Sequence, residues 1–172
     1  MARLGITMTT DEEVIEQYIY DCAMAAHRVI VTRLKVLGEE CVRRVRDRSK
    51  EESWIDQTGN LRSSIGYRVL QNGNVLANGG FFTTNAPDGD GGKGRRVGKT
   101  FLDEVSRILY QDYVLVVVAG MEYADKVEAL ESKDVLASTG SWAKQIWNEY
   151  LRRLPQDIDK ECDKLAKKYG LA

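Results

Sequence analysis

Three groups of residues in this 172-residue chain have types and spacings that could do chemistry. The first is Gly94-Arg-Arg-Val-Gly98-Lys99-Thr100, which is similar to a phosphate-binding loop. Such a loop needs four residues between its first glycine and the Gly-Lys-Thr, so that successive amides wrap the phosphates. The required position here is Lys93, and no hydrophobic parallel strand leads into it. A small nucleotide-binding enzyme using Lys99 and Thr100 is therefore an alternative rather than the preferred reading. The second group is cationic: Lys93, Arg95, Arg96 and Lys99, with Arg43, Arg44, Arg46 and Arg48 elsewhere. Aromatic residues are not interleaved with either cluster, and no helix-turn-helix or RNA-binding signature is present. A nucleic-acid-binding accessory domain is thus a second alternative, with sequence-independent phosphate contact its simplest form. The third group is His27 with the carboxylates Asp11-Glu12-Glu13, Glu39-Glu40 and Glu51-Glu52. His27 has no Cys, Asp or Ser at a triad or metal-binding spacing, and the acids fall at helix ends or on solvated faces, where nothing raises a pKa. No catalytic residue, metal or cofactor is expected.

Composition narrows the classes further. Lys and Arg total 25 against 26 Asp and Glu, a formal charge of −1, so any contact with nucleic acid must be a local patch. The three cysteines, Cys22, Cys41 and Cys162, are odd in number, widely spaced and in apolar helical register. That pattern fits buried thiols in a reducing compartment better than disulfides or a metal site. Residues 1–10 do not read as a secretory signal, and the longest aliphatic run, Val114 to Ala119, is far short of the ~20 residues that span a bilayer. A soluble, cytoplasmic chain without a membrane partner is expected.

The elements that must position these residues follow from periodicity. Thr10-Asp11-Glu12-Glu13 offers a cap and acidic groups to a helix start. Val14, Tyr18, Cys22, Ala25, Val29, Leu34, Leu37, Cys41 and Val45 recur at three- and four-residue steps, predicting one long helix to about Arg48 with Gly38 as a point to bend. Ile65, Tyr67 and Val69 alternate with Ser64, Gly66 and Arg68, a strand with one buried face. Asn72-Gly73 predicts a hairpin turn, and a return strand from Val75 to about Phe82, weakened or bulged at Asn78-Gly79-Gly80. Residues 83–98 are polar and glycine-rich and predict a mobile loop. A short helix through Phe101, Leu102, Val105, Ile108 and Leu109 follows. Tyr113 to Ala119 predicts a central or doubly covered strand, and Tyr123 to Leu130 another helix. Trp142, Ile146, Trp147, Tyr150, Leu151 and Leu154 continue into Ile158, Cys162, Leu165 and Tyr169, a second amphipathic helix that Pro155 should kink or split. The stripes of the two long helices can pack on each other and on the sheet. The chain reads as one domain, 1–172, of α+β class: a small antiparallel sheet with a long N-terminal helix and C-terminal helices packed on it.

Two segments about fifty-five residues apart carry a resemblance. Asp56-Gln-Thr58-Gly59-Asn-Leu61-Arg62-Ser-Ser-Ile65 and Gly120-Met-Glu-Tyr123-Ala124-Asp-Lys-Val127-Glu128 frame the sheet. The order Thr-Gly-x-Leu-Arg-x-Ser-Ile, then a Val-rich strand, then Gly-x-x-Tyr-Ala-x-x-Val-Glu resembles the tailed-phage head-tail joining and tail-completion proteins, the minor tail components of phages and prophages. The chain departs from that pattern after Glu128, where Ala129-Leu-Glu-Ser stands in place of a Gly-Thr and a Pro-containing stretch. The resemblance implies a non-enzymatic subunit that oligomerises into a ring at the neck or tail end during virion assembly. Its partners would be copies of itself, the phage neck or connector and the tail tube, with transient contact to DNA. Location would be the virion, and the host cytoplasm before assembly. It implies that Thr58, Gly59, Leu61, Arg62, Ile65, Tyr123, Ala124, Val127 and Glu128 build the fold and its subunit faces, and that Lys93, Arg95, Arg96 and Lys99 sit in a lumen or assembly loop.

Overall fold

The computed structural model describes residues 11–48, 54–129 and 135–171. The elements run α1 (Glu12–Arg46), α2 (Asn60–Ser63), β1 (Ile65–Gln71), β2 (Asn74–Gly80), α3 (Gly92–Ser106), β3 (Val114–Ala119), α4 (Ala124–Ala129) and α5 (Ala137–Lys168). The fold is α+β, with a long N-terminal helix, a three-stranded antiparallel sheet and C-terminal helices. Contacts divide the chain into two compact units, one holding Val31–Tyr150 and the other the residues up to Ile30 together with those from Leu151. Both long helices contribute to each unit.

In the larger unit the strand order is β2-β1-β3, so β1 is central. Of the two positions the sequence allows Tyr113–Ala119, central or doubly covered, the first is corrected: β3 is an edge of the sheet, with Val116 and Val118 packed against Leu102 of α3 on one face. The hairpin turn forms at Asn72 and Gly73, whose φ values of 50° and 80° suit a tight turn. The irregularity in β2 lies at Leu76, between the pairs Val69–Ala77 and Leu70–Val75, and not at the glycines. Gly79 instead makes room for an aromatic ring, since a Cβ there would lie 2.5 Å from Tyr67 Cε1.

Successive residues of β1 point to opposite faces, and each face is covered by a different helix. Ile65, Tyr67 and Val69 lie under the buried stripe of α1, namely Leu34, Leu37, Cys41, Val42 and Val45. Gly38 is where the Tyr67 ring meets α1: a Cβ there would lie 2.6 Å from Cε2 and 2.7 Å from Cγ. Its place in the helix is thus set by ring packing. The Tyr67 hydroxyl donates to Glu39 Oε1 at 2.9 Å. Burial and that carboxylate push the phenol well above its ordinary range. Burial also pushes the Cys41 thiol up, to about 11. On the other face α3 packs Leu102 into a cluster with Phe81, Val118 and Val116. Arg68 reaches from β1 to Asp103 Oδ1 at 2.7 Å and to Ser106 Oγ at 3.1 Å.

The smaller unit is a helix pair. The Tyr169 hydroxyl donates to Asp21 Oδ2 at 2.8 Å, and the Tyr18 and Tyr169 rings meet edge to face at 6.2 Å. The Cys162 thiol is hydrogen-bonded to Cys22, which raises its pKa to about 11. Only Cys41 is a fully buried thiol; Cys22 and Cys162 are half-exposed and meet across the pair, which widely spaced cysteines do not announce in sequence. α5 is assigned as one helix through Pro155 without a split.

Candidate functional site

The largest correction falls on residues 83–98. Helix α3 begins at Gly92, so the second half of the expected loop is helical. Glycine normally weakens a helix by about 1 kcal/mol relative to alanine. Here the glycines sit where a side chain has no room. A Cβ on Gly94 would lie 2.6 Å from Asn60 Cα, and one on Gly98 would lie 2.8 Å from Ser64 Cα and from Phe81 Cε1. Gly94, Gly98, Leu102 and Ser106, each four residues from the last, are the buried stripe of α3, which therefore lies against the backbone of α2 and the start of β1. The remaining connection, from Phe81 to Gly91, is tied down by Asp88 N–H to Gln57 O at 2.9 Å and Gly91 N–H to Thr58 O at 3.1 Å.

The two sequence motifs meet around this helix. Gly120 N–H donates to Ser64 O at 3.2 Å, and a Cβ on Gly120 would lie 2.5 Å from Gly98 Cα. Tyr123 and Val127 line a shallow cavity of about 240 Å³ with Trp54, Ile55, Asp56, Gln57, Thr58 and Leu61. Burial foremost, with the Asp56 charge, raises the Tyr123 phenol, while a hydrogen bond with Thr58 opposes the rise. Gly59 takes φ 71° at the start of α2, and its carbonyl accepts Ser63 N–H at 3.1 Å. Leu61, Ile65 and Ala124 are buried. Glu128 accepts Leu136 N–H at 3.2 Å and Ala137 N–H at 2.6 Å through Oε1, so it caps the start of α5.

Arginines lock the same junction. Arg46, near the end of α1, donates to Phe82 O and Thr84 Oγ1 at 2.8 Å each, and also to Arg62 O. Arg62 returns a hydrogen bond to Arg46 O and lies over the Trp54 ring at 5.1 Å. Burial, then the Arg62 charge, lowers the Arg46 pKa. Arg48 donates to Ser138 Oγ at 2.8 Å and Thr139 Oγ1 at 2.7 Å, and Arg44 lies over the Trp142 ring at 5.1 Å. The sequence offered this cluster as helix-dipole cations; the structure uses three of its four members as cross-links.

Two of the amides at the start of α3 that a phosphate would need are engaged from within: Gly92 N–H with Asp90 Oδ1 at 2.8 Å and Gly94 N–H with Asn60 Oδ1 at 2.9 Å. Among the described residues no group of three His, Cys, Asp or Glu could hold a metal ion, and no helix is long and apolar enough to cross a membrane. Lys93, Arg95, Arg96 and Lys99 are exposed positions on the first two turns of α3. Sequence reasoning missed Asn60 and Arg46 as junction residues. The four-residue repeat of small residues, Gly94-Gly98 ahead of Leu102-Ser106, was the available signal for the first; nothing local marked Arg46 apart from its neighbours. Comparison with known protein families, curated proteins and solved structures gives no match.

Proposed function

We propose that this chain is a structural subunit of a tailed-phage particle, a tail-completion or head-tail joining protein that assembles into a ring at the neck or tail end. It acts by shape, with no bond made or broken. The observation that carries the reading is the use of the motif residues: Thr58, Arg62, Ser64 and Glu128 direct their hydrogen bonds into the chain's own backbone and side chains. The residues that carry the resemblance are therefore spent on holding one junction rigid. A ring needs subunit contacts of the head-to-tail kind, with two different surfaces on each copy. Both outer edges of the sheet, on β2 and on β3, lack a neighbouring strand among the described residues, which offers two such surfaces. Copies of the chain, a neck or connector protein and the tail tube are the partners, and the virion is the destination after assembly in the host cytoplasm.

The test is light scattering after size exclusion together with electron microscopy of the concentrated protein, alone and mixed with tail tubes. Rings, or tubes capped at one end, are expected. A chain that stays monomeric at every concentration and leaves tube ends bare overturns the proposal. A rise in melting temperature with Mg-ATP would move the reading to the nucleotide-binding enzyme, because a ligand that binds only the folded state stabilises it.

A further inference from the structure

We propose that the outward face of α3 is a docking strip for the phosphodiester backbone of duplex DNA. Lys93, Arg95, Arg96 and Lys99 are all exposed there, within seven residues that contain no acid. At a rise of 1.5 Å per residue they span roughly 9 Å of helix axis. None of the four side chains makes a hydrogen bond or ion pair with another described residue. The contrast with the other basic cluster carries the argument: Arg44, Arg46 and Arg48 are turned onto a ring, carbonyls and hydroxyls of the fold, whereas the exposed α3 side chains engage no such group among the described residues. In a chain of net charge −1 this is a local run of four cations, flanked by Asp90 before it and by Asp103 and Glu104 after it. The strip is also held firmly, because Gly94 and Gly98 seat the opposite face of the same two turns on α2 and β1. Positioned cations of this kind need less ordering on contact with a polyanion than a mobile loop would.

The chemistry favours duplex over single strand. Proteins that hold single strands stack bases on aromatic side chains, and residues 93–99 contain none. Cations without base-reading groups contact phosphates irrespective of sequence. The inference extends the assembly reading by naming what a lumen-facing helix would meet, yet a single copy should show it, so failure to form rings leaves the measurement intact.

The test is fluorescence anisotropy of a labelled 20-base-pair duplex between 20 and 200 mM salt. Four phosphate contacts predict a slope of log K against log salt of about −3.6, or a loss of affinity of about four thousandfold over that tenfold range. The variant Lys93→Gln/Arg95→Gln/Arg96→Gln/Lys99→Gln should abolish binding. The variant Lys144→Gln/Arg152→Gln/Arg153→Gln/Lys167→Gln removes the same four charges from exposed positions on α5 and should bind as the parent does. Should the first variant fail to fold, Lys93→Gln/Arg96→Gln should halve the slope. No binding by the parent at 20 mM salt overturns the proposal, as does equal loss in both quadruple variants, which would reduce the effect to net charge. Tighter binding to single strands, or binding to anionic vesicles without binding to the duplex, overturns the assignment of duplex DNA.

Discussion

Replacing Gly94 by alanine should destabilise the protein, whereas the same replacement at Gly140 should stabilise it. Both positions are helical, so both gain the intrinsic preference of alanine, about 1 kcal/mol. At Gly140 a new Cβ meets nothing within 4 Å, and the gain stands alone. At Gly94 it meets the backbone of Asn60, with Cα 2.6 Å away, which cannot rotate aside. Ordinary contact begins at 3.4 Å and the Asn60 carbonyl lies nearer still than Cα, so α3 would have to retreat by about 1 Å or more. That retreat would stretch the 2.9 Å hydrogen bond from Gly94 N–H to Asn60 Oδ1 beyond bonding range, a loss of about 1 kcal/mol. Forced repacking of this kind costs about 1–3 kcal/mol. The net expectation is a loss of about 1–3 kcal/mol, a fall in melting temperature of roughly 2–12 °C, against a rise of roughly 2–4 °C for Gly140→Ala. Urea and thermal unfolding followed by tryptophan fluorescence is the assay, because Trp54, Trp142 and Trp147 all lie in the Val31–Tyr150 unit with both glycines. A Gly94→Ala protein as stable as the parent would refute the packing of α3. In an unstructured segment the same change removes only unfolded-state freedom and is neutral or mildly stabilising.

Two further outcomes follow from the same unit. Arg46→Ala should lose about 2–3 kcal/mol, since its guanidinium serves Arg62 O, Phe82 O and Thr84 Oγ1 together, and Arg46→Lys should not restore it because an ammonium lacks the planar fork; chemical denaturation of both variants measures this. Tyr67→Phe should lose about 1 kcal/mol at neutral pH and should also flatten the alkaline branch of the stability curve. The sign follows from a folded-state pKa raised above the unfolded value of about 10: the contribution is complete below that pH and is lost as pH rises above it, while the unfolded chain ionises first. Melting temperatures of parent and variant between pH 8 and 11 that run parallel would contradict the assignment.

Much of the fold is legible from periodicity because its signals are local. The stripe from Val14 to Val45, the alternation at Ile65, Tyr67 and Val69 and the Asn72-Gly73 turn each appear in the structure where the sequence puts them. Strand order is another matter. Val114 to Ala119 is apolar on both faces and reads as central or doubly covered, yet β1, with Gly66 and Arg68 on one face, occupies the middle. Face cover and edge pairing are separate properties, and a run of valines reports only the first. The thiols show the same limit, since nothing near Cys22 or Cys162 in the chain says that two helices will bring them together.

The glycine-rich segment and the arginines from Arg43 to Arg48 misread for a common reason. Composition records what a residue is able to do, and only its neighbours decide which ability is used. Glycine permits both a flexible loop and the close approach of two backbones. At residues 91–98 the second use prevails because Asn60 and Ser64 stand against the helix, and the four-residue spacing from Gly94 to Ser106 is the one local trace of it. Arginine likewise serves both as a surface charge and as a five-donor cross-link. Arg46 and Arg62 end as cross-links because the carbonyls at the ends of α1 and α2 need donors, and each accepts the other's guanidinium. Arg95 and Arg96 face no such carbonyl among the described residues, so their charge stays exposed, and this difference in what each cluster is opposed to decides which guanidinium groups hold the fold together.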